Sequence, residues 1–335
     1  MNRLFAMRSI GLACLVACAC LPSLGVTIPQ ARAGDPTTSV LWGERGESWT
    51  PGGRLPDFSY AGYHRGERPL PVLRPETSVK TFGAVGDGKT DDTGAFQKAL
   101  SQAAGKVIAI PPGRYVITDI LEIRDSGTVL QGASPERTTI YAPIPLEKIR
   151  PNMGATTGGR PTSNYSWSGG LIWAKGQPST KVLAQVTKTA SRGETTLHVD
   201  RPGNFKVNDS VRLSLTDDKD NSLIHHLYAG DPGDFSNLQK RHGDVGFVAA
   251  VRDIDLQKGT VSLDRPLRTD ARRQWKPVLC ENVSSVEEIG IENLTFEFPV
   301  SDYEGHFTEL GFNAIACDGV RNSWVRNVRI RNADS

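Results

Sequence analysis

Between Ser301 and Glu309 the chain gathers Asp302, Tyr303, Glu304, His306 and Glu309. Carboxylates, a phenol and an imidazole at that density suit proton transfer to and from a bound molecule. His306 is the candidate base, Tyr303 the candidate donor, and Glu309 and Asp302 the candidate carboxylates. His306 is the only histidine of the C-terminal region. The plainer reading is a packed brace in which His306 is hydrogen-bonded to Glu304 or Glu309.

A second set is Arg326, Arg329 and Arg331, of which the last two flank Ile330 and are expected on one outward strand face. Guanidinium groups there would hold a carboxylate or sulfate by paired hydrogen bonds. A solvated sheet face uses the same residues. A third set, His225, His226 and Tyr228 with Asp231, Asp234 and His242, lacks convincing metal spacing.

The elements that must position these groups are legible nearby. Laying Ile291-Glu292-Asn293-Leu294-Thr295-Phe296 over Val325-Arg326-Asn327-Val328-Arg329-Ile330 matches apolar residues and an asparagine at an offset of 34, which Val286 and Val320 share. The repeat predicts stacked strands. The stretch from Pro299 to Phe312 must then leave the coil as a loop overhanging a neighbouring face, where chemistry commonly sits on a rigid scaffold. Asn293 and Asn327 are expected to stack inside adjacent turns.

Further upstream, Val79-Lys80-Thr81-Phe82-Gly83-Ala84-Val85-Gly86-Asp87-Gly88-Lys89-Thr90-Asp91-Asp92-Thr93-Gly94-Ala95-Phe96-Gln97-Lys98-Ala99-Leu100 leads into short strands, broken by Gly and Pro, over Lys106–Ile117, Ile120–Ile123, Thr128–Gly132 and Thr139–Tyr141. Asp92 or Thr93 is expected to cap a helix whose Phe96, Ala99, Leu100 and Ala103 share a face. This stretch resembles the N-terminal signature of the pectate-lyase superfamily, in its rhamnogalacturonase and epimerase-like branch. The resemblance implies an all-β fold, a right-handed parallel β-helix with an N-terminal capping helix. It also implies that Asp87, Asp91 and Asp92 belong to the end closure. Calcium is a cofactor within the family, but no calcium site is identified here.

Members of that superfamily cleave or epimerise polysaccharides, so polysaccharide is the expected partner. Hydrolysis uses two carboxylates flanking the glycosidic oxygen. β-Elimination uses a base beside a uronate carboxylate and a cation to neutralise that carboxylate. Elimination leads, because the arginines and the His/Tyr pair lie near one expected groove and no facing pair of carboxylates is evident. Hydrolysis and a non-catalytic glycan-binding or surface role stay open. The Asn-Thr-Asp, Gly-Asp-Asp and Gly-His-Gly motifs of polygalacturonase-like hydrolases are missing from this sequence, which leaves the reaction undecided.

The remaining segments fill in the organisation. Arg3 and Arg8, the apolar run from Ile10 to Val26 and Ala31-Arg32-Ala33 have the layout of a secretory signal over residues 1–33. Leu15-Val16-Ala17-Cys18 offers a lipoprotein-type cleavage as the alternative. The apolar run falls short of the roughly 20 residues of a membrane span and contains Pro22. No integral membrane segment is expected after cleavage, and the protein is read as exported. Without residues 1–33 the chain has 36 basic and 37 acidic side chains, which gives no global field for nucleic acid. Only Cys280 and Cys317 remain, fitting neither a disulfide framework nor a paired-cysteine zinc site.

Residues 34–78, aromatic and punctuated by Gly and Pro, read as an extended arm, and 79–180 as the cap and first coils. An inserted small β subdomain is expected over 181–277 and further coils over 278–335. The chain stops just after a strand, so more coils, with some of the catalytic residues, are expected beyond Ser335.

Overall fold

The computed structural model describes residues 39–55, 61–155, 159–179, 181–236 and 245–334. The export signal expected at 1–33, and His242, lie outside them. The described residues fall into two compact units that divide after Ser48. In the first, the Glu47 carboxylate accepts the Glu44 and Arg45 amides at 2.8 Å each, a small self-contained turn.

The larger unit opens with β1 (Thr77–Ser78), β2 (Asp87–Asp91) and α1 (Thr93–Gln102). Next come β3 (Val107–Ile110), β4 (Gly113–Val116), β5 (Leu121–Ile123), β6 (Val129–Gly132), β7 (Thr138–Tyr141), α2 (Leu146–Ile149), β8 (Met153–Ala155), β9 (Pro161–Ser163) and β10 (Ile172–Lys175). An insert supplies β11 (Val182–Gln185), β12 (Thr196–His198), β13 (Ser210–Leu215), α3 (Ser222–Leu227), β14 (Val245–Asp255), β15 (Thr260–Leu263) and β16 (Val278–Glu281). The chain returns as β17 (Val286–Glu287), β18 (Gly290–Glu297), β19 (Ile315–Asp318), β20 (Val320–Arg321) and β21 (Trp324–Arg331).

Strands of successive coils stack in parallel. β1, β3, β6, the first half of β18 and β21 form one face. A second face is built from β2, β4, β7, the second half of β18 and β21. The third is β5, β10 and β19. The molecule is therefore a right-handed parallel β-helix, each coil passing through the three faces in turn.

Side chains pointing into the coils make its core. Ile108, Leu130 and Ile291 stack on the first face, Tyr115, Ile140 and Phe296 on the second, and Leu121 with Ile172 on the third, all fully or almost fully buried. At roughly 25 cal/mol per Å² of apolar surface, this stack is the main stabilising term.

The corner between the first two faces turns on left-handed backbone. Asn293 has φ 60° and Asn327 φ 51°, a conformation that asparagine tolerates better than most residues. Ile291 pairs with Val325 and Phe296 with Ile330, and Val286 with Val320, so the offset of 34 is the register of the coil. The asparagines stack with Asn327 Nδ2 donating to Asn293 Oδ1 at 2.9 Å. Asn293 is half-buried at this corner, and the pair stacks from coil to coil as expected.

Helix α1 closes the first coil with Phe96, Ala99, Leu100 and Ala103 buried. Its cap differs from the expectation. Asp91 Oδ1 accepts Thr93 N at 3.0 Å and Thr93 Oγ1 at 2.5 Å. Asp92, fully buried, makes no side-chain cap and instead accepts the amides of Val85 at 2.5 Å and Gly86 at 3.0 Å. Asp87 accepts Lys89 N and Thr90 N at 2.8 and 2.7 Å. All three carboxylates are engaged by local donors.

The insert makes one sheet in the order β11-β16-β13-β14-β15-β12, antiparallel throughout. Its own core surrounds the fully buried Trp275, Leu197, Val211 and Leu279. β16 belongs to this sheet, whereas a boundary at 277 leaves it with the coils. Upstream, Tyr63, Leu70 and Leu73 pack on Val107, Val129 and Trp324. Cys280, opposite Arg212 in the insert, and Cys317, opposite Ala174 in the coils, are not joined. Among the described residues no helix is long and apolar enough to cross a membrane.

Candidate functional site

Consecutive coils bulge at the corner between the second and third faces. The chain leaves β7 and reaches β10 only after residues 142–171, and it leaves β18 and reaches β19 only after 298–314. The next coil begins the same crossing after β21, at 332–334. Three stacked connections therefore meet on one corner.

They are locked by backbone bonds. Leu146 N donates to Gly311 O and Glu147 N to Leu310 O, both at 3.0 Å. The Asp334 carboxylate accepts the amides of Leu310, Gly311 and Phe312 at 3.2, 3.1 and 2.7 Å. Gly311, at φ 90°, is required here, since a Cβ would lie 2.5 Å from that of Tyr165.

The locked loop surrounds a cavity of about 580 Å³ whose lining includes Asp302, Tyr303, Glu304, Glu309, Asn332 and Asp334. Glu309 is 6% exposed. Its Oε1 lies 3.4 Å from both the Tyr303 hydroxyl and His306 Nδ1, while Oε2 has no hydrogen-bond partner among the described residues. Burial alone would raise the Glu309 carboxyl. The nearby amides of Glu309 and Phe307 and the His306 ring outweigh that and hold it below its usual value, so it is ionised at neutral pH. Tyr303 is 66% exposed. Partial desolvation and the Glu309 charge raise its phenol, which stays protonated.

The loop has a second side. His306 turns from the cavity into an adjoining hollow of about 200 Å³, lined also by Arg160, Thr162 and Phe307. Its ring lies on that of Phe307, centroids 3.9 Å apart. Thr308 and Leu310 line both spaces.

Of the seven site residues read from the sequence, Asp302, Tyr303, His306 and Glu309 share this loop. The arginines do not line the cavity. Arg326 is paired with Glu292, a buried carboxylate that also accepts Gln131 Nε2 at 2.6 Å and Trp324 Nε1 at 3.2 Å. Arg329 reaches Glu136 at 2.9 Å. Arg331 stands opposite Glu297 in the ladder, and Glu297 is held by Arg114 at 2.6 Å.

His225 and His226 serve local packing. His225 Nδ1 is 3.1 Å from Gly230 O, and His226 lies against Trp275 and 3.7 Å from Asp270. Among the described residues no group of three or more His, Cys, Asp or Glu is placed to hold a metal ion.

Sequence reasoning missed Asp334, whose three bonds fix the loop, and Trp167, an exposed ring beside Phe307. For Trp167 a signal existed. A tryptophan inside Ser163-Asn164-Tyr165-Ser166-Trp167-Ser168-Gly169-Gly170 sits in turn-forming, polar company that places it at the surface.

Residues 77–157 match the family model described as rhamnogalacturonase A/epimerase, pectate lyase-like. The pre-neck appendage protein of Bacillus phage B103 is 46% identical over 63 residues, which cover 19% of this chain and 7% of that protein. Alginate lyase 7 of Azotobacter vinelandii is 41% identical over 59 residues, covering 17% of this chain and 7% of the lyase. The matched stretch is thus a small fraction of either relative's length. Among solved structures, the tailspike of Acinetobacter baumannii bacteriophage AP22, in complex with a capsular saccharide, has a TM-score of 0.43 and 10% identity, covering 76% of this chain and 37% of the tailspike. Residues 77–157 are thus similar to the pectate lyase-like family, and the coils that follow them continue the parallel β-helix.

Proposed function

We propose that the chain is part of an exported polysaccharide-degrading enzyme and that the cavity under the 298–314 loop is its reaction site. The observation that carries this is Glu309. A buried, ionised carboxylate with one oxygen near a phenol and an imidazole and the other without a partner is a base placed to receive a proton. Asp302 and Glu304 share its cavity and supply the second carboxylate that glycoside hydrolysis uses. Tyr303, kept protonated, donates to the leaving oxygen. The family signature and the likeness to an alginate lyase over 59 residues support a polysaccharide substrate.

This arrangement favours hydrolysis over β-elimination. Elimination from a uronate needs a cation at the substrate carboxylate, and Arg326 and Arg329 are already ion-paired and line no part of the cavity. The Tyr303/His306 pair supports elimination as a second reading, because both groups can move a proton. Incubating the protein with neutral and uronic-acid polysaccharides separates the two. New reducing ends without ultraviolet absorbance mark hydrolysis, and an absorbing unsaturated product marks elimination.

A further inference from the structure

Trp167 and Phe307 stand outside the proton-transfer groups and carry a separate inference. They are 52% and 43% exposed, with ring centroids 5.7 Å apart and planes at 86°. Two large aromatics side by side in water give up apolar burial that the core would have used.

The pair is nevertheless held firmly. Thr162 Oγ1 donates to Phe307 O, and Ser166 Oγ donates to Glu309 O at 3.0 Å. Asn313 Nδ2 reaches Tyr165 O at 2.7 Å and Ser168 O at 3.0 Å. Phe307 itself has φ 72°, a region unfavourable to a bulky residue that persists only where the surroundings impose it. The fold thus fixes an aromatic pair at the surface at a cost in backbone strain.

We infer that Trp167 and Phe307 form a stacking subsite for an uncharged pyranose ring of the polysaccharide, next to the Glu309 cavity. A sugar's C–H face carries the partial positive charge that an aromatic face attracts, and rings already fixed lose little entropy on binding. The hollow beside Phe307 is continuous with the cavity through Thr308 and Leu310, which line both, and Trp167 adjoins it through its contact with Phe307. The absence of charge follows from the cavity wall: Asp302, Glu304, Glu309 and Asp334 would repel a uronate carboxylate placed among them. Arg160 lines the aromatic hollow and not the cavity. The inference rests on reading this corner as a polysaccharide site, but concerns binding and not bond cleavage.

The test is affinity electrophoresis of the full chain in gels cast with dextran, laminarin, galactomannan, polygalacturonate or alginate. Wild type is expected to be retarded by at least one of the three neutral polymers and by neither uronan. Trp167→Ala and Phe307→Ala should each weaken that retardation about tenfold. Trp167→Phe, which keeps a ring, should retain most of it, and this guards against a folding defect in the alanine variant. Equal retardation of Trp167→Ala and wild type overturns the subsite, as does retardation by uronans alone or by no polymer. Loss of self-association by Trp167→Ala in sedimentation velocity also overturns it, assigning the rings to a contact between copies. Glu309→Gln separates the two readings. Normal cleavage by Glu309→Gln with lost binding by Trp167→Ala sinks the proposed reaction site and spares the subsite, and the converse pattern does the reverse.

Discussion

Asn327 donates its side-chain amide to the Asn293 carbonyl oxygen one coil below, at 2.9 Å, and both residues hold the left-handed backbone that bends their strands around the corner. Two effects follow from one residue type. The ladder bond contributes about 1 kcal/mol, and asparagine lessens the left-handed penalty that alanine bears in full, roughly 1–2 kcal/mol. Asn327→Ala should therefore cost about 2 kcal/mol and Asn327→Gly about half as much. Thermal melting of the two variants checks this; equal losses would mean that backbone conformation contributes nothing at the corner.

Asp91 and Asp92 are neighbours with different tasks. Asp92→Ala removes two hydrogen bonds from the Val85 and Gly86 amides to a buried carboxylate, together about 2–3 kcal/mol. Asp91→Ala removes a helix cap worth about 1 kcal/mol. Denaturant midpoints should fall further for Asp92→Ala. A larger loss from Asp91→Ala would place the weight on the helix end and not on the 85–86 turn.

Much of this architecture is visible in the sequence, for physical reasons that differ by element. The coil register is legible because stacked strands bury the same positions in each turn, so Ile291 and Phe296 find their images at Val325 and Ile330. The face of α1 is legible from helical spacing. The assignment of the cap to Asp92 fails because both aspartates fit the local pattern and only the fold turns Asp92 towards residues 85 and 86. The site is half legible. A loop of acid, phenol and imidazole announces chemistry, but Asp334 and Trp167 join it only through coil stacking, which composition does not display. Arg326 looks like an anion-binding group until the buried Glu292 beneath it is seen.

Acid stability should centre on Glu122. Burial opposes its charge, but Arg150 at 2.7 Å, Arg124 at 2.5 Å and Lys175 at 3.2 Å hold its carboxyl down to about 2 from 4.5. A depressed carboxyl adds stability that is fully present above about pH 4.5 and is lost as pH falls through about 2. Glu122→Gln should be clearly less stable than wild type near pH 6, with the gap closing towards pH 2. Urea midpoints across that range test it, and a gap independent of pH would contradict the assignment.

On the proposed reading, His306 acts on Glu309 as a positioning residue. Its hydrogen bond is one of the influences holding the carboxyl low. Glu309 must be ionised to work as a base, so His306→Ala should move the acidic limb of the pH–rate profile upward. Turnover at neutral pH should drop less than for changes at Glu309 itself. A profile that loses all activity at every pH without shifting would give His306 the base role directly.

The central claim is that Glu309 performs proton transfer on a bound polysaccharide. The direct measurement is the rate of reducing-end release by Glu309→Gln and wild type on whichever polymer the wild type cleaves, with melting temperatures taken in parallel. Glutamine fills the same buried space but cannot take a proton, so turnover should fall by about 10² or more while the melting temperature changes little. Full activity in Glu309→Gln, with the fold intact, would contradict the account and remove the cavity under the 298–314 loop from the chemistry.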